Sequence, residues 1–228
     1  LKRKEGLAWG FPSPDSDYDV RFIYAHDQDW YLTILDKPDS MNFAINDQLD
    51  IGGWELKKFL ILMKKSNASV IEWLQTPIYY QADPVFRVGA DSMMRYFYQP
   101  IPTYYHYANM AKKFVGDLDN GMISVKNYLH ALRALLAAKW TVTFPDPPMT
   151  SFELLVQSLI ADKSLKTEID LLLEKKRSGM KDHKRISPLD EFMAASMAAD
   201  EEKSKELKSS KADVDKLDEF FKMTISKK

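Results

Sequence analysis

At 228 residues, with 45% apolar and 29% charged side chains, the chain has the make-up of a soluble globular protein of one large or two small domains. Its 32 basic and 33 acidic residues leave a net charge of -1, so no global basic field marks it for nucleic acid, and any such contact must come from a local patch. The absence of cysteine excludes a disulfide framework, a thiolate metal site and a thiol nucleophile. No apolar run approaches the ~18 residues of a membrane span, and the LKRKEG start lacks the apolar stretch of a signal peptide. A cytoplasmic protein with no membrane partner is expected.

The first ten residues are polar and read as the end of some element. VRFIY, 20–24, is β-branched and aromatic and predicts a strand. WYLTIL, 30–35, is a second candidate strand, and residues 43–51, ending in LDI, are a third and weaker one. After Gly52-Gly53 the period changes: Trp54, Leu56, Phe59, Leu60 and Met63 recur at helical steps, predicting a helix to about Lys65. Residues 70–74 predict a short helix. Asp83-Pro84 reads as an N-cap with proline in the first helical position, opening a helix to about Tyr98. Two further helices are predicted over 101–118 and 125–140. FPDPPMTS, 144–151, is a turn-rich break, and Thr150 and Glu153 have capping-box spacing before LLVQSLI. Residues 165–176 predict a helix ending near Gly179. Ser187-Pro188 opens another, which decays into EEKSKELKSSK, a run low in apolar residues. VDKLDEFFKM presents one apolar face. No internal repeat is present. The layout is α+β: a small mixed sheet within residues 1–80, too small for an independent core, followed by a helical domain over 81–228 that packs against it.

Asp15, Asp17 and Asp19 crowd the entrance to the first strand. Strand side chains at i and i+2 share a face, so Asp17 and Asp19 would project together. Two carboxylates that close repel, and a divalent cation removes the conflict. Magnesium suits such oxygens and takes its remaining ligands from water and substrate phosphates. Asp50, between apolar Leu49 and Ile51 and just before the glycine pair, is the candidate third carboxylate. A surface turn or calcium loop explains DSDYD as well, although an EF-hand's central glycine and terminal glutamate are missing. Asp15 reads as a turn residue after Pro14.

Other residues carry two readings each. Arg21 is expected to face away from Asp19, as a surface residue or in a structural ion pair. Lys64-Lys65 suits a helix C-terminus or a phosphate. Arg133, in the otherwise apolar HALRALLAAKW, would hold a triphosphate or pair with a carboxylate such as Glu72. Lys139 is expected to face solvent. His106 and His130 read as packing histidines, His26 and His183 as loop residues, and no histidine pair has metal-site spacing. Tyr96, Phe97, Tyr98, Tyr104, Tyr105 and Tyr107 would form helical core or stack bases.

GFPSPDSDYDVRF (10–22), LDI (49–51) with Gly53-Trp54 opening a helix, KSNA (65–68), EWL (72–74) and YLHALRALLAAKW (128–140) together resemble the DNA polymerase β-type nucleotidyltransferase superfamily. More narrowly, they resemble its RNA-repair-pathway DNA polymerase beta family, over about residues 5–160. The resemblance implies a polymerase β-type sheet with a C-terminal helical bundle. It implies a metal-dependent transfer of a nucleoside monophosphate from a nucleoside triphosphate to a hydroxyl acceptor, an RNA end or a protein among the candidates. Asp17 and Asp19 would bind Mg2+ or Mn2+, and Asp50 would be the third ligand or the base. Where that superfamily has Gly-Ser in its phosphate-binding turn, this chain has Gly6-Leu7. The turn from Gly6 to Gly10 would keep backbone donors and lose a hydroxyl. The alternative is a catalytically degenerate nucleotide- or protein-binding module of the same fold.

Overall fold

The computed structural model describes residues 2–4, 18–44, 49–116, 122–209 and 211–226. These divide into two units. The first holds residues 2–4, 18–44, 49–99 and 211–226, and the second holds 100–116 and 122–209.

In the first unit, β1 (Lys2–Lys4), β2 (Tyr18–Tyr24), β3 (Ser40–Asn42) and β4 (Leu49–Glu55) form a sheet of order β1-β2-β4-β3. β2 and β4 run parallel and the two outer pairs antiparallel, so the sheet is mixed, as expected. β4 extends through the glycine pair that reads as a break in the sequence. The cause lies across the sheet: Phe22 is in register with Gly53, and a Cβ on Gly53 would lie 2.4 Å from the Phe22 ring. The predicted strand over 30–35 does not form. Asp27 accepts from the Trp30 amide at 3.1 Å and caps a single helical turn, α1 (Gln28–Tyr31). The His26 ring stacks on Trp30 at 4.0 Å, and Leu32, Ile34 and Leu35 are left exposed. Of the predicted strand over 43–51, only 49–51 belongs to a strand, and 45–48 lie outside the described residues.

Glu55 ends β4 and caps α2 (Leu56–Lys64), accepting from the Lys57 amide at 2.7 Å and from the Tyr31 hydroxyl at 2.5 Å. Asn67 caps α3 (Ala68–Leu74). Asp83 caps α4 (Pro84–Phe97), accepting from the Phe86 amide at 2.7 Å. Leu56, Phe59, Leu60 and Met63 of α2 meet Val70 and Ile71 of α3 and Ala90, Met94 and Phe97 of α4 in one buried core. Ile23 and Trp54 of the sheet pack against it. α4 thus packs with the sheet, beyond the boundary expected at residue 80.

The second unit contains α5 (Pro100–Gly116), β5 (Met122–Ser124), α6 (Val125–Thr143), α7 (Phe152–Leu159), α8 (Lys163–Arg177), β6 (Asp182–Lys184) and α9 (Ser187–Ser204). Val125, Thr141 and nearly everything between are buried in α6, which α5, α7, α8 and α9 all contact. A helix apolar all round belongs at the centre of a bundle. Ser151, not Thr150, caps α7: its hydroxyl accepts from the Leu154 amide, and Glu153 instead accepts from Gln157 four residues on. Lys139 does not face solvent. It reaches Asp200 on α9 at 3.3 Å, a residue only 1% exposed. His130 is buried and stacks on Phe114, matching its packing role. Phe97, Tyr98, Tyr104 and Tyr107 are buried, while Tyr96 and Tyr105 are exposed.

The chain then returns to the first unit. α10 (Asp215–Ile225) inserts Leu217, Phe220 and Ile225 into the core shared by α2, α3 and α4. This is the apolar face read from VDKLDEFFKM.

Candidate functional site

Parallel pairing of β2 with β4 sets Asp19 directly beside Asp50. Residues in register on neighbouring strands share a face, with strands about 4.8 Å apart. The same face carries Arg21 and Ile23 on β2, and Gly52 and Trp54 on β4, by alternation. Ile23 and Trp54 belong to the helix-packed end of that face, and the two carboxylates lie toward the other end, half-buried.

Arg21 holds both acids. Its Nη2 donates to Asp19 Oδ1 at 3.1 Å and to Asp50 Oδ2 at 2.5 Å. Its Nη1 donates to the Asp50 carbonyl at 3.0 Å and the Val20 carbonyl at 3.2 Å. Asp19 and Arg21 are two residues apart and share a face, so the expectation that Arg21 turns away is corrected. The other half of that reading, a structural ion pair, is what the geometry shows. Arg21's hydrogen bond holds the Asp50 carboxyl below the ordinary carboxylate range; burial opposes this, and the guanidinium's charge and a hydrogen bond with Asp19 add to it. Asp50 is therefore ionised at neutral pH.

Arg21 also lines a cavity of 780 Å³ within the first unit, walled by Ile23, Trp73, Tyr79 and Phe86. The Arg87 guanidinium lies over the Tyr79 ring at 3.7 Å, and Asp83 is among the lining residues.

Of the residues expected in the site, Asp19 and Asp50 are brought together. Asp17, Gly6, Leu7 and Gly10, and with them Asp15, lie outside the described residues. Arg133 belongs to the second unit, where it is 3% exposed with Nη2 3.9 Å from the Met110 sulfur. Lys65 is the C-cap of α2. Sequence reasoning named Arg21 for an ion pair but set it on the wrong face, although the i+2 rule applied to Asp17 and Asp19 places it beside Asp19.

The donor chemistry fits a divalent cation. Asp19 and Asp50 offer oxygen ligands from rigid neighbouring strands, and they already hold a cation, the guanidinium, between them. Among the described residues no group of three or more His, Asp or Glu side chains is placed to hold a metal. Among the same residues no helix is long and apolar enough to cross a membrane.

The chain is 39% identical over 210 residues to the uncharacterized protein YcgL of Bacillus subtilis (strain 168), an alignment covering 91% of this chain and 81% of that protein. No solved structure matches it. The profile of the RNA repair pathway DNA polymerase beta family matches residues 6–223, taking in the carboxylate pair, Arg21 and nearly all of the helical bundle. The chain belongs to the RNA repair pathway DNA polymerase beta family.

Proposed function

We propose that this protein is a metal-dependent nucleotidyltransferase that moves a nucleoside monophosphate from a nucleoside triphosphate to a hydroxyl acceptor. The observation that carries the reading is the register of Asp19 with Asp50 on adjacent parallel strands, both carboxyls converging on one cation. Asp17, Asp19 and Asp50 would hold Mg2+ or Mn2+. When bound, such an ion neutralises phosphate charge and orients the attacking and leaving oxygens. The acceptor oxygen attacks the α-phosphorus, the bond from that phosphorus to the bridging oxygen breaks, and pyrophosphate leaves. Asp50 accepts the hydroxyl proton, and its carboxylate is ionised for that role at neutral pH. The chain's contribution is positioning and charge placement. In this reading backbone amides of residues 6–10, Leu7 included, serve the triphosphate. The acceptor favoured by the family's name is an RNA end, with a protein side chain next, and the setting is the cytoplasm.

The test is incubation with each nucleoside triphosphate labelled at the α- or the γ-phosphorus, with Mg2+ or Mn2+ and a panel of RNA, protein and small-molecule acceptors. Label should pass to one acceptor class from the α-position only, and Asp19→Asn and Asp50→Asn should abolish it. Absence of transfer with every acceptor, or transfer that survives both substitutions, refutes the proposal. The second reading, a nucleotide-binding module without turnover, draws on the Arg21 fork across both acids and on leucine at position 7. It expects nucleotide binding in the same samples and no transfer.

A further inference from the structure

We propose that Arg21 is the built-in counter-cation of the Asp19–Asp50 pair, and that a divalent ion loads only as its guanidinium swings away, so that Arg21 sets the metal affinity of the site. This rests on the reading of Asp19 and Asp50 as metal ligands. Three observations lead to it. First, one guanidinium nitrogen bonds an oxygen of each acid, and the other bonds the Asp50 main chain. One oxygen of each acid is therefore already engaged, and a guanidinium and a divalent ion repel each other at such range. Second, two carboxylates in register on neighbouring strands repel each other, and a cation between them offsets that repulsion. Arg21 supplies that cation before any metal arrives. Third, the guanidinium has somewhere to go. Arg21 lines the 780 Å³ cavity, whose lining residues include Asp83 and the aromatic residues Trp73, Tyr79 and Phe86, side chains of the kinds that attract a cation. A purely structural Arg21 would tie β2 to β4 in the same way, but would not govern metal affinity.

The experiment is Mn2+ binding to the full chain, followed by the paramagnetic resonance of free Mn2+, for the unsubstituted protein, Arg21→Gln and Arg21→Lys. Loss of a half-exposed ionic competitor should tighten Mn2+ binding in Arg21→Gln by about three- to tenfold. Arg21→Lys, which keeps the charge and loses the fork, should fall between. Asp50→Asn should bind far more weakly than all three. Equal or weaker binding by Arg21→Gln, with Asp50→Asn still deficient, overturns the role of Arg21 and leaves the metal reading standing. No binding by any of the proteins, or binding indifferent to Asp50→Asn, overturns both. Should Arg21→Gln not fold, the unsubstituted protein decides. The Arg21 Nε–Hε nuclear resonance, identified by its absence from Arg21→Lys, should shift with Mg2+ saturation. A resonance that stays put while Mg2+ binds means that the guanidinium does not leave, and the inference fails.

Discussion

Substituting Gly53 by alanine tests whether the fit of one aromatic ring into β4 keeps the two acids aligned. Gly53 is buried in β4, opposite Phe22 and three residues beyond Asp50. An added Cβ would stand 2.4, 2.5 and 2.6 Å from three ring carbons of Phe22, well inside contact distance. Either the ring turns out of its place or β4 moves away from β2. Overpacking of this kind costs about 1–3 kcal/mol. For a chain of this size each kcal/mol lowers Tm by about 2–4 °C. Gly52 is the control: its added Cβ would crowd the end of the Asn42 side chain at 3.1 Å, which can yield, and meet Met41 O and Arg21 Nη1 at ordinary contact distances of 3.7 and 3.8 Å, so Gly52→Ala should cost less. Thermal melts of Gly53→Ala, Phe22→Ala, the double variant and Gly52→Ala form the assay. The double variant should recover most of the loss specific to Gly53→Ala, giving a coupling energy of about 1 kcal/mol or more between the positions. A Gly53→Ala protein as stable as the parent, or a double variant in which the losses merely add, would refute the reasoning.

Asp50→Asn should slightly destabilise the metal-free protein, by about 1 kcal/mol or less, since Arg21 already neutralises the pair and loses a partner in the variant; the like-charge argument alone predicts a gain in Tm, and melts without metal separate the two. Asp50's depressed pKa contributes stability above the ordinary carboxylate range that is lost as pH falls through its native value, and Asp50→Asn should remove that acid-side loss from a Tm-versus-pH curve. Asp200 behaves oppositely: burial raises its pKa against the pull of Lys139, so folding takes up a proton, and its contribution declines as pH rises through the native value. Asp200→Asn should therefore flatten a decline in Tm as pH rises above the ordinary carboxylate range, checked by calorimetry at several pH values. Arg133→Met fills a similar volume without the charge; if Arg133 serves the triphosphate, nucleoside triphosphate binding should weaken by about tenfold or more while nucleoside binding holds, and titration calorimetry with both ligands decides.

The helices were legible because their ends are written locally. Asp83-Pro84 and Ser187-Pro188 mark two starts, and the apolar steps of Leu217 and Phe220 announce the face that α10 buries. The failures share a cause, since each depended on a partner distant in sequence or on a segment too short to have a period. WYLTIL has strand composition, yet the Asp27 cap and the ring of His26 turn its start into a helical turn. β1, β5 and β6 span three residues each, fewer than an alternation needs to be recognised. The glycine pair reads as a break until the Phe22 ring is placed over Gly53.

The site divides along the same line. That Asp17 and Asp19 could share a strand face follows from alternation, and Arg21 follows from the next step of the same alternation. That Asp50 is the neighbour of Asp19 does not, because it needs the parallel register of two strands thirty residues apart along the chain. Once that register is known, the crowding of acids at the start of a core strand has a physical resolution. Folding by itself brings Asp19 and Asp50 together, and a chain that relied on metal to make this tolerable would hold a repulsive pair in every metal-free molecule. Arg21 lies on the same strand and face, reaches both acids, and removes that repulsion in the act of forming β2 and β4. The resulting prediction separates the two duties of the residue. Arg21→Gln should lower the metal-free Tm and, by the competition argued above, raise Mn2+ affinity, so added Mn2+ should restore more stability to the variant than to the parent. Equal stabilisation of both proteins by saturating Mn2+ would mean that the guanidinium and the metal occupy the pair independently, and that the strand carries its arginine for packing alone.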